Sequence, residues 1–275
     1  MQANNPIGVF DSGYGGLTVL KQLVKELPQY DFLYLGDNAR APYGNRSFDA
    51  VYQYTLQCVK WFFHQGCPLV VLACNTASAK ALRTIQQGYL AKINTDNRVL
   101  GVIRPTAEII GKYTTTKKIG ILGTTGTVQS DSYPIEIKKF FPQVDVFQQA
   151  CPLWVPLVEN NEYNEEGAEH FIKKDIEYLL SQSKDIDAIL LACTHYPLLM
   201  DKIRKFTPPH IKIISQGDII AASLKDYLAR HPEIDNNCSK NASVSIYTTD
   251  SAYEFTRQSV TFFGSALQAK HVNID

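Results

Sequence analysis

The feature that most constrains the fold is a pair of matching apolar runs, each of which ends in alanine and cysteine. Residues 69–76 read LVVLACNT, and residues 188–195 read AILLACTH. A short run of consecutive apolar residues is typical of a strand that is buried on both faces of a sheet. The small polar residues after each cysteine are types that cap helices. The sequence therefore predicts two similar half-structures, each of which places a thiol at the carboxyl end of a strand.

Short apolar runs alternate with longer amphipathic stretches along the rest of the chain. The amphipathic stretches predict helices, among them residues 17–26, 165–181 and 219–229. The apolar runs predict strands at residues 7–10, 31–35, 69–73, 99–103, 118–122, 144–147, 186–191, 211–214 and 244–247. Because strands that are joined by helical crossovers run parallel, we expect an α/β fold with mainly parallel sheets.

Two segments that are polar or rich in proline are candidates for the linkers between the halves. They are residues 94–98 and the pair Pro208-Pro209. They divide the chain into a discontinuous domain, residues 1–97 plus 209–275, and an inserted domain, residues 98–208. We expect the first domain to carry Cys74 and the second to carry Cys193.

The balance of charge disfavours some classes of binding partner. Lys and Arg total 27 and Asp and Glu total 27, so the formal net charge is zero. No nucleic-acid partner is expected, because such proteins carry a basic patch. No membrane partner is expected either, since the chain has no secretory signal and no run of about 18 apolar residues. An anionic small molecule has to be held by local donors, because the chain as a whole provides no attracting field.

The 6 cysteines are expected to be reduced thiols in a cytoplasmic protein. They are scattered along a chain that lacks an export signal, which disfavours a disulfide framework. No pair has Cys-x-x-Cys spacing and the histidines do not follow a zinc-finger pattern, so no metal is predicted. No organic cofactor is predicted either. Residues 13–18 (GYGGLT) depart from the dinucleotide-binding motif, and no lysine lies in the strand-end motifs to form a pyridoxal Schiff base.

Polar side chains converge at the predicted strand ends, where ligands bind in open α/β sheets. Taken singly, each Asp, Ser, Asn and Thr among them is better explained as a helix cap. Together they supply hydroxyl, amide and carboxyl groups at one edge, and backbone N–H groups at helix starts and around Gly44 add further donors. The residues are Asp11, Ser12, Asp37, Asn38, Cys74, Asn75, Thr76, Thr124, Thr127, Cys193, Thr194 and His195.

The two thiols suit one kind of reaction in particular. Inversion of a carbon centre by proton transfer needs a base on one face and an acid on the other. Cys74 and Cys193 can fill these roles as one thiolate and one thiol, with Asp11 and His195 as polar neighbours that assist them. Simple packing is the alternative for either cysteine alone, because free cysteine is among the most buried residues. His195 can likewise be a residue that only packs at a helix start.

A series of motifs in a fixed order spans most of the chain: residues 8–20 (GVFDSGYGGLTVL), 34–44 (YLGDNARAPYG), 73–77 (ACNTA), 119–128 (IGILGTTGTV), 151–159 (CPLWVPLVE) and 192–199 (ACTHYPLL). The series resembles that of the glutamate racemases, within the aspartate/glutamate racemase superfamily. The resemblance implies two similar α/β domains with mainly parallel sheets that face a central cleft. It implies an isomerase that interconverts L-glutamate and D-glutamate without pyridoxal phosphate or metal. It also implies a homodimer that supplies D-glutamate for peptidoglycan synthesis.

The same resemblance assigns roles to individual residues. It makes Cys74 and Cys193 the two acid–base groups, and it implies that Asp11, Glu159 and His195 assist them. The substrate-binding positions that it implies are Asp11, Ser12, Pro42, Tyr43, Gly44, Asn75, Thr76, Thr124, Thr127, Thr194 and His195. The chain departs from the family pattern at Asn38, where threonine is expected. It also departs at Ser215, where an aspartate often follows the strand.

Three other functions fit the same sequence features. A racemase or isomerase for aspartate or another amino acid would share the thiol pair and differ in the pocket for the side chain. A non-catalytic protein that binds an amino acid would use the same cleft but would not need a thiol on each side. A thiol-redox protein would normally carry a Cys-x-x-Cys pair, which this chain lacks.

Overall fold

Parallel strands in two sheets form the framework of the protein, seen in a computed structural model that describes residues 5–93 and 96–274. Every pairing between neighbouring strands is parallel. The strands are β1 (Ile7–Asp11), β2 (Phe32–Gly36), β3 (Leu69–Leu72), β4 (Arg98–Gly101), β5 (Lys118–Gly123), β6 (Asp145–Ala150), β7 (Ala188–Ala192), β8 (Lys212–Ile214), β9 (Val244–Thr248) and β10 (Ala269–His271). The predicted α/β fold with parallel sheets is confirmed.

The two sheets share one strand order. The larger sheet runs β10-β9-β2-β1-β3-β4, and the smaller runs β6-β5-β7-β8. The order β2-β1-β3-β4 in the first therefore matches β6-β5-β7-β8 in the second. Cys74 lies two residues beyond β3 and Cys193 follows β7 directly, so the two thiols occupy equivalent places. The repeated Ala-Cys run in the sequence reflects this repeated topology.

Helices cover both faces of the sheets, which is why β1, β2, β3 and β7 are buried along their whole length. The helices are α1 (Leu17–Glu26), α2 (Phe48–His64), α3 (Asn75–Lys80), α4 (Leu82–Thr84), α5 (Ala91–Ile93), α6 (Ile103–Ala107), α7 (Thr125–Gln129), α8 (Ser132–Phe140), α9 (Trp154–Glu159), α10 (Glu166–Gln182), α11 (Met200–Phe206), α12 (Gly217–Arg230), α13 (Pro232–Asp235) and α14 (Ala252–Phe263). One apolar core contains Val9 and Val71 of the larger sheet and Leu122 and Ile189 of the smaller, so it joins the two sheets. No helix in the described part of the chain is both long and apolar enough to cross a membrane.

Sheet membership bears on the predicted domain boundaries. β4 pairs with β3 in the larger sheet, although its residues fall in the predicted inserted domain. β8 pairs with β7 in the smaller sheet, although its residues fall in the predicted discontinuous domain. Residues 94 and 95 of the first predicted linker lie outside the described residues. The first segment leads into β4 of the larger sheet, and the second leads into β8 of the smaller sheet, so neither segment passes from one sheet to the other. We therefore propose domain limits that follow the sheets, after β4 and after β8.

The observed strands differ from the predicted ones where an apolar residue lies outside a strand, or where a strand is not apolar. The strand predicted at residues 99–103 runs from Arg98 to Gly101, and Ile103 already begins a helix. β10 was not predicted, because its three residues are mostly exposed and carry no apolar run.

A buried aspartate fixes the entry to β2, the strand that leads into the cleft loop described below. Asp31 is 1% exposed and accepts hydrogen bonds from the backbone and side chain of both Ser243 and Asn241. Burial alone raises the pKa of Asp31, but hydrogen bonds from Ser239, Ser243 and Asn241 outweigh it and lower the pKa to about 2. The ionised carboxylate therefore ties β2 to the segment that precedes β9.

We predict that Asp31→Asn lowers the free energy of unfolding by roughly 2 kcal/mol at neutral pH. The folded pKa lies below the unfolded value, so this contribution is present above about pH 4 and is lost as the pH falls to about 2. Urea unfolding of the native chain and of Asp31→Asn, from neutral pH down to about pH 2, measures this difference in the free energy of unfolding. A difference that does not shrink on acidification would contradict the assignment.

Candidate active site

A narrow cleft with a cavity volume of about 40 Å³ lies at the carboxyl ends of the strands of both sheets. Its walls come from segments that follow β1, β2 and β3 of the larger sheet and β5, β6 and β7 of the smaller. All the residues predicted from the strand ends or from the resemblance line it, except Asp11, Asp37, Asn38 and Thr127. Asp11 and Thr127 lie directly behind the wall. The lining residues are Ser12, Pro42, Tyr43, Gly44, Asn45, Cys74, Asn75, Thr76, Thr124, Cys151, Pro152, Val155, Pro156, Glu159, Cys193, Thr194 and His195.

Cys74 is the N-cap of α3, as the sequence predicted for a thiol just before a helix. Its Sγ accepts a hydrogen bond from the Ala77 N–H at 3.4 Å, and its thiol donates to Ser12 Oγ at 3.6 Å. Burial, supplemented by the nearby Asp11 carboxyl, raises the pKa of the Cys74 thiol to about 12. The helix start and Ser12 act in the opposite direction. Cys74 is therefore a thiol at neutral pH.

Cys193 has different surroundings. The first helical residue after it is Tyr196 rather than the next residue, so the predicted helix start is displaced. The His195 ring lies beside this thiol, with Nδ1 3.9 Å from Cys193 Sγ and Nε2 2.9 Å from Glu159 Oε1. Burial lowers the pKa of His195, but the contacts with Cys193 and Glu159 outweigh it and raise the pKa to about 10. A protonated imidazole therefore lies beside the second thiol.

Asp11 is the last residue of β1 and is fully buried. Its carboxylate accepts from the Gly13 N–H at 3.0 Å and lies 3.5 Å from Thr194 Oγ1 of the other sheet. Burial raises the pKa of Asp11 above its ordinary value, although the nearby His195 opposes the shift. The carboxyl group thus lies behind the wall between the two thiols.

Neutral hydrogen-bonding groups form much of the remaining wall. Thr76 Oγ1 lies 2.9 Å from Thr124 Oγ1 and 3.4 Å from Thr127 Oγ1, so hydroxyls from both sheets meet there. Thr124 also caps α7 by accepting from the Thr127 N–H. Among the residues that the structure describes, neither lysine nor arginine lines the cleft. Apart from the His195 imidazole, neutral donors are therefore the groups available to an anionic ligand.

The loop after β2 supplies another wall and is held from behind by an ion pair. Asp37, which is fully buried, accepts from Arg40 Nε at 2.7 Å, from Thr249 Oγ1 at 2.8 Å and from the Tyr43 hydroxyl. Tyr43 and Gly44 are thereby fixed at the cleft. Asn38, a departure from the family pattern, accepts from Thr248 Oγ1 and does not line the cleft.

Several lining residues were not predicted from the sequence. They are Asn45, Cys151, Pro152, Val155 and Pro156. All but Asn45 belong to the segment that the resemblance used to locate Glu159. Their proximity to the cleft depends on how α9 packs, which no local pattern specifies.

Two parallel α/β units that share a strand order, with a buried thiol from each lining one cleft, define a two-unit α/β protein with paired cleft cysteines. A sequence profile of the Asp/Glu/Hydantoin racemase family matches residues 7–224. The chain belongs to this family.

Similar proteins cover nearly the whole chain. A glutamate racemase of Sulfurihydrogenibium sp. (strain YO3AOP1) is 38% identical over 253 residues, which are 92% of this chain and 91% of that relative. The structure of a glutamate racemase isoform from Bacillus anthracis superimposes with a TM-score of 0.89 at 32% identity and covers 99% of both chains. A glutamate racemase from Francisella tularensis, solved in complex with D-glutamate, gives a TM-score of 0.87 at 30% identity and covers 99% of both chains.

We predict that the stability of the native chain falls more steeply between about pH 6.5 and pH 10 than that of Glu159→Gln. The folded pKa of His195 is raised to about 10, so its stabilising contribution is complete below the unfolded value of about 6.5 and is lost towards pH 10. Glu159→Gln removes one cause of the raised His195 pKa, and we expect it to lower the free energy of unfolding by about 1–3 kcal/mol near pH 6.5. Urea unfolding at several pH values measures both slopes, and equal slopes would count against the pair.

We also predict that Gly15→Ala damages the site. A Cβ at this position would lie 2.3 Å from Thr194 Oγ1 and 2.4 Å from His195 Nδ1, so these residues would have to move. A displacement of this kind lowers turnover about a hundredfold. The control is Gly167→Ala in α10, where a Cβ has nothing within 4 Å. Equal turnover of both variants in a racemisation assay would contradict the prediction.

Proposed function

We propose that the protein is a glutamate racemase that interconverts L-glutamate and D-glutamate by proton transfer between two thiols, without an organic cofactor or a metal. The observation that carries the proposal is that Cys74 and Cys193, from equivalent strand ends of two sheets, line the same cleft. Two acid–base groups of one kind match a reaction whose forward and reverse directions are chemically alike.

In the proposed reaction one thiolate removes the proton from Cα of the amino acid, and the opposite thiol donates a proton to the other face of the resulting carbanion. The S–H bond formed on one side is balanced by the S–H bond broken on the other. Each turnover therefore exchanges the protonation states of Cys74 and Cys193. A carbon centre is inverted without net gain or loss of protons.

Different neighbours assist the two thiols. On one side, the Ala77 N–H at the start of α3 and Ser12 stabilise the thiolate form of Cys74, and Asp11 is placed to orient the group. On the other side, the imidazolium of His195 stabilises charge on Cys193 and is itself held by Glu159. We assign Asp11, His195 and Glu159 as groups that assist proton transfer.

The amino acid would be held by neutral donors that surround the thiols. We propose that the two carboxylates are bound by side chains and backbone N–H groups on both walls of the cleft, because the described lining contains no basic residue other than His195. Thr127 would act indirectly, through its contacts with Thr76 and Thr124. The proposed binding groups are those of Ser12, Pro42, Tyr43, Gly44, Asn75, Thr76, Thr124 and Thr194.

Glutamate is favoured over aspartate by similarity. The relatives and solved structures compared above carry the name glutamate racemase, and one of them holds D-glutamate. On the same ground we propose a homodimer in the cytoplasm that supplies D-glutamate for peptidoglycan synthesis. Sedimentation of the purified protein tests the homodimer.

We predict that incubation with L-glutamate in deuterated buffer, with no cofactor added, gives inversion together with α-deuteration. Polarimetry and loss of the α-hydrogen signal follow the two events, and a panel of other L-amino acids serves as the comparison. Turnover of L-aspartate but not L-glutamate would replace the substrate and leave the mechanism standing. Reduced, folded protein that inverts no amino acid would refute the proposal in favour of a binding protein.

The thiol roles are tested by Cys74→Ser and Cys193→Ser, each of which we expect to lower racemisation at least about a thousandfold. Cys238→Ser is the matched control, since this thiol is also buried but does not line the cleft. Circular dichroism checks that all three variants fold. Near-normal racemisation by either cleft variant would rule out the two-thiol assignment.

A further inference from the structure

A buried chain of hydrogen bonds leads away from the cleft at Asn75. Asn75 Oδ1 accepts from the Tyr133 hydroxyl at 2.5 Å, and this hydroxyl accepts from Gln216 Nε2 at 2.6 Å. All three side chains are buried, with exposures of 3%, 0% and 5%. Asn75 follows β3 of the larger sheet, whereas Tyr133 lies in α8 and Gln216 precedes α12. The chain therefore connects a cleft residue with the region where the polypeptide returns from the smaller sheet.

The direction of these hydrogen bonds is fixed at their far end. The Val102 carbonyl oxygen can only accept, and Thr106 Oγ1 donates to it at 2.9 Å. Thr106 Oγ1 must then accept from Gln216, whose Nε2 lies 2.7 Å away. The same nitrogen also lies 3.4 Å from the Val102 oxygen. Gln216 therefore presents its amide nitrogen on this side and donates its remaining hydrogen to Tyr133.

The consequence at the cleft concerns the orientation of one amide. A hydroxyl that accepts from Gln216 donates its own proton onward, so Tyr133 requires the oxygen of Asn75 as its acceptor. Burial raises the pKa of Tyr133 well above its ordinary value, which keeps the proton on the hydroxyl. The Asn75 amide then has only its nitrogen, with two hydrogens, to offer a ligand. An amide in the reverse orientation would present lone pairs and repel a carboxylate.

We propose that Gln216 and Tyr133 are positioning residues, which orient Asn75 so that its amide nitrogen donates to a substrate carboxylate. The inference rests on the proposed function, because it takes the ligand to be an amino-acid anion. It also gives a role to the segment around Ser215, where the sequence departs from the family pattern. Gln216, which follows Ser215, is neutral and donates from its amide nitrogen to Thr106 and Tyr133.

The test compares Tyr133→Phe and Gln216→Met with Thr106→Val. The first two break the path to Asn75. Thr106→Val removes a buried hydroxyl of the same cluster but leaves the path intact, because the Val102 oxygen still faces the Gln216 nitrogen. Kinetics in both directions give KM and kcat, calorimetry gives the Kd for D-glutamate, and thermal unfolding gives the structural cost of each change.

We expect KM and Kd to rise roughly tenfold in Tyr133→Phe and Gln216→Met, with kcat changed less than about threefold. In Thr106→Val we expect both constants to stay within about twofold of native values despite a similar loss of thermal stability. Equal rises of KM and Kd in all three variants, or no rise in the first two, would overturn the inference. Turnover of glutamate by the native chain would in that case still uphold the proposed function. A native chain that neither turns over nor binds glutamate would overturn both.

Discussion

The geometry of a buried parallel sheet is the constraint on which the rest of this structure depends. Each strand must be followed by a crossover, so the carboxyl ends of the strands and the starts of the following helices gather at one edge. Two sheets with the order β2-β1-β3-β4 and β6-β5-β7-β8 bring two such edges to a single cleft. Cys74 and Cys193 meet there because they follow equivalent strands. The helix starts provide backbone N–H groups in the same place, which makes the cleft suitable for anions.

The two thiols are equivalent in topology but not in electrostatics. Cys74 caps a helix and lies near the buried carboxyl of Asp11, and its pKa is raised to about 12. Cys193 lies beside a histidine whose pKa is raised to about 10 and which pairs with Glu159. One side therefore relies on backbone dipoles and hydroxyls, and the other relies on a side-chain cation. In the proposed proton transfer each thiol is a thiolate during part of the cycle. Each therefore needs its own group that stabilises the thiolate, although the two groups differ.

A cleft without lysine or arginine in its described lining depends on the direction of every neutral donor. A cation attracts a carboxylate from any angle, whereas an amide attracts it through the nitrogen and repels it through the oxygen. This is why residues outside the cleft bear on binding. Asp37 holds the loop that carries Tyr43, and Gln216 acts on Asn75 through Tyr133. In the proposed function, such supporting contacts orient neutral donors that no lysine or arginine of the described lining replaces.

The sequence by itself determined strands β1 to β9, the parallel α/β class and the two thiols at strand ends, because these follow from local apolar runs and the capping residues after them. It located most of the cleft as well, since polar residues at strand ends share one edge. Only the tertiary structure decided which groups pair across the cleft. Glu159 reaches His195 over 36 positions and Thr194 reaches Asp11 over 183, and the resemblance alone had suggested the role of Glu159. The partners of Asn75 and the edge strand β10 also depend on packing between distant segments, which leaves no periodic signal in the chain.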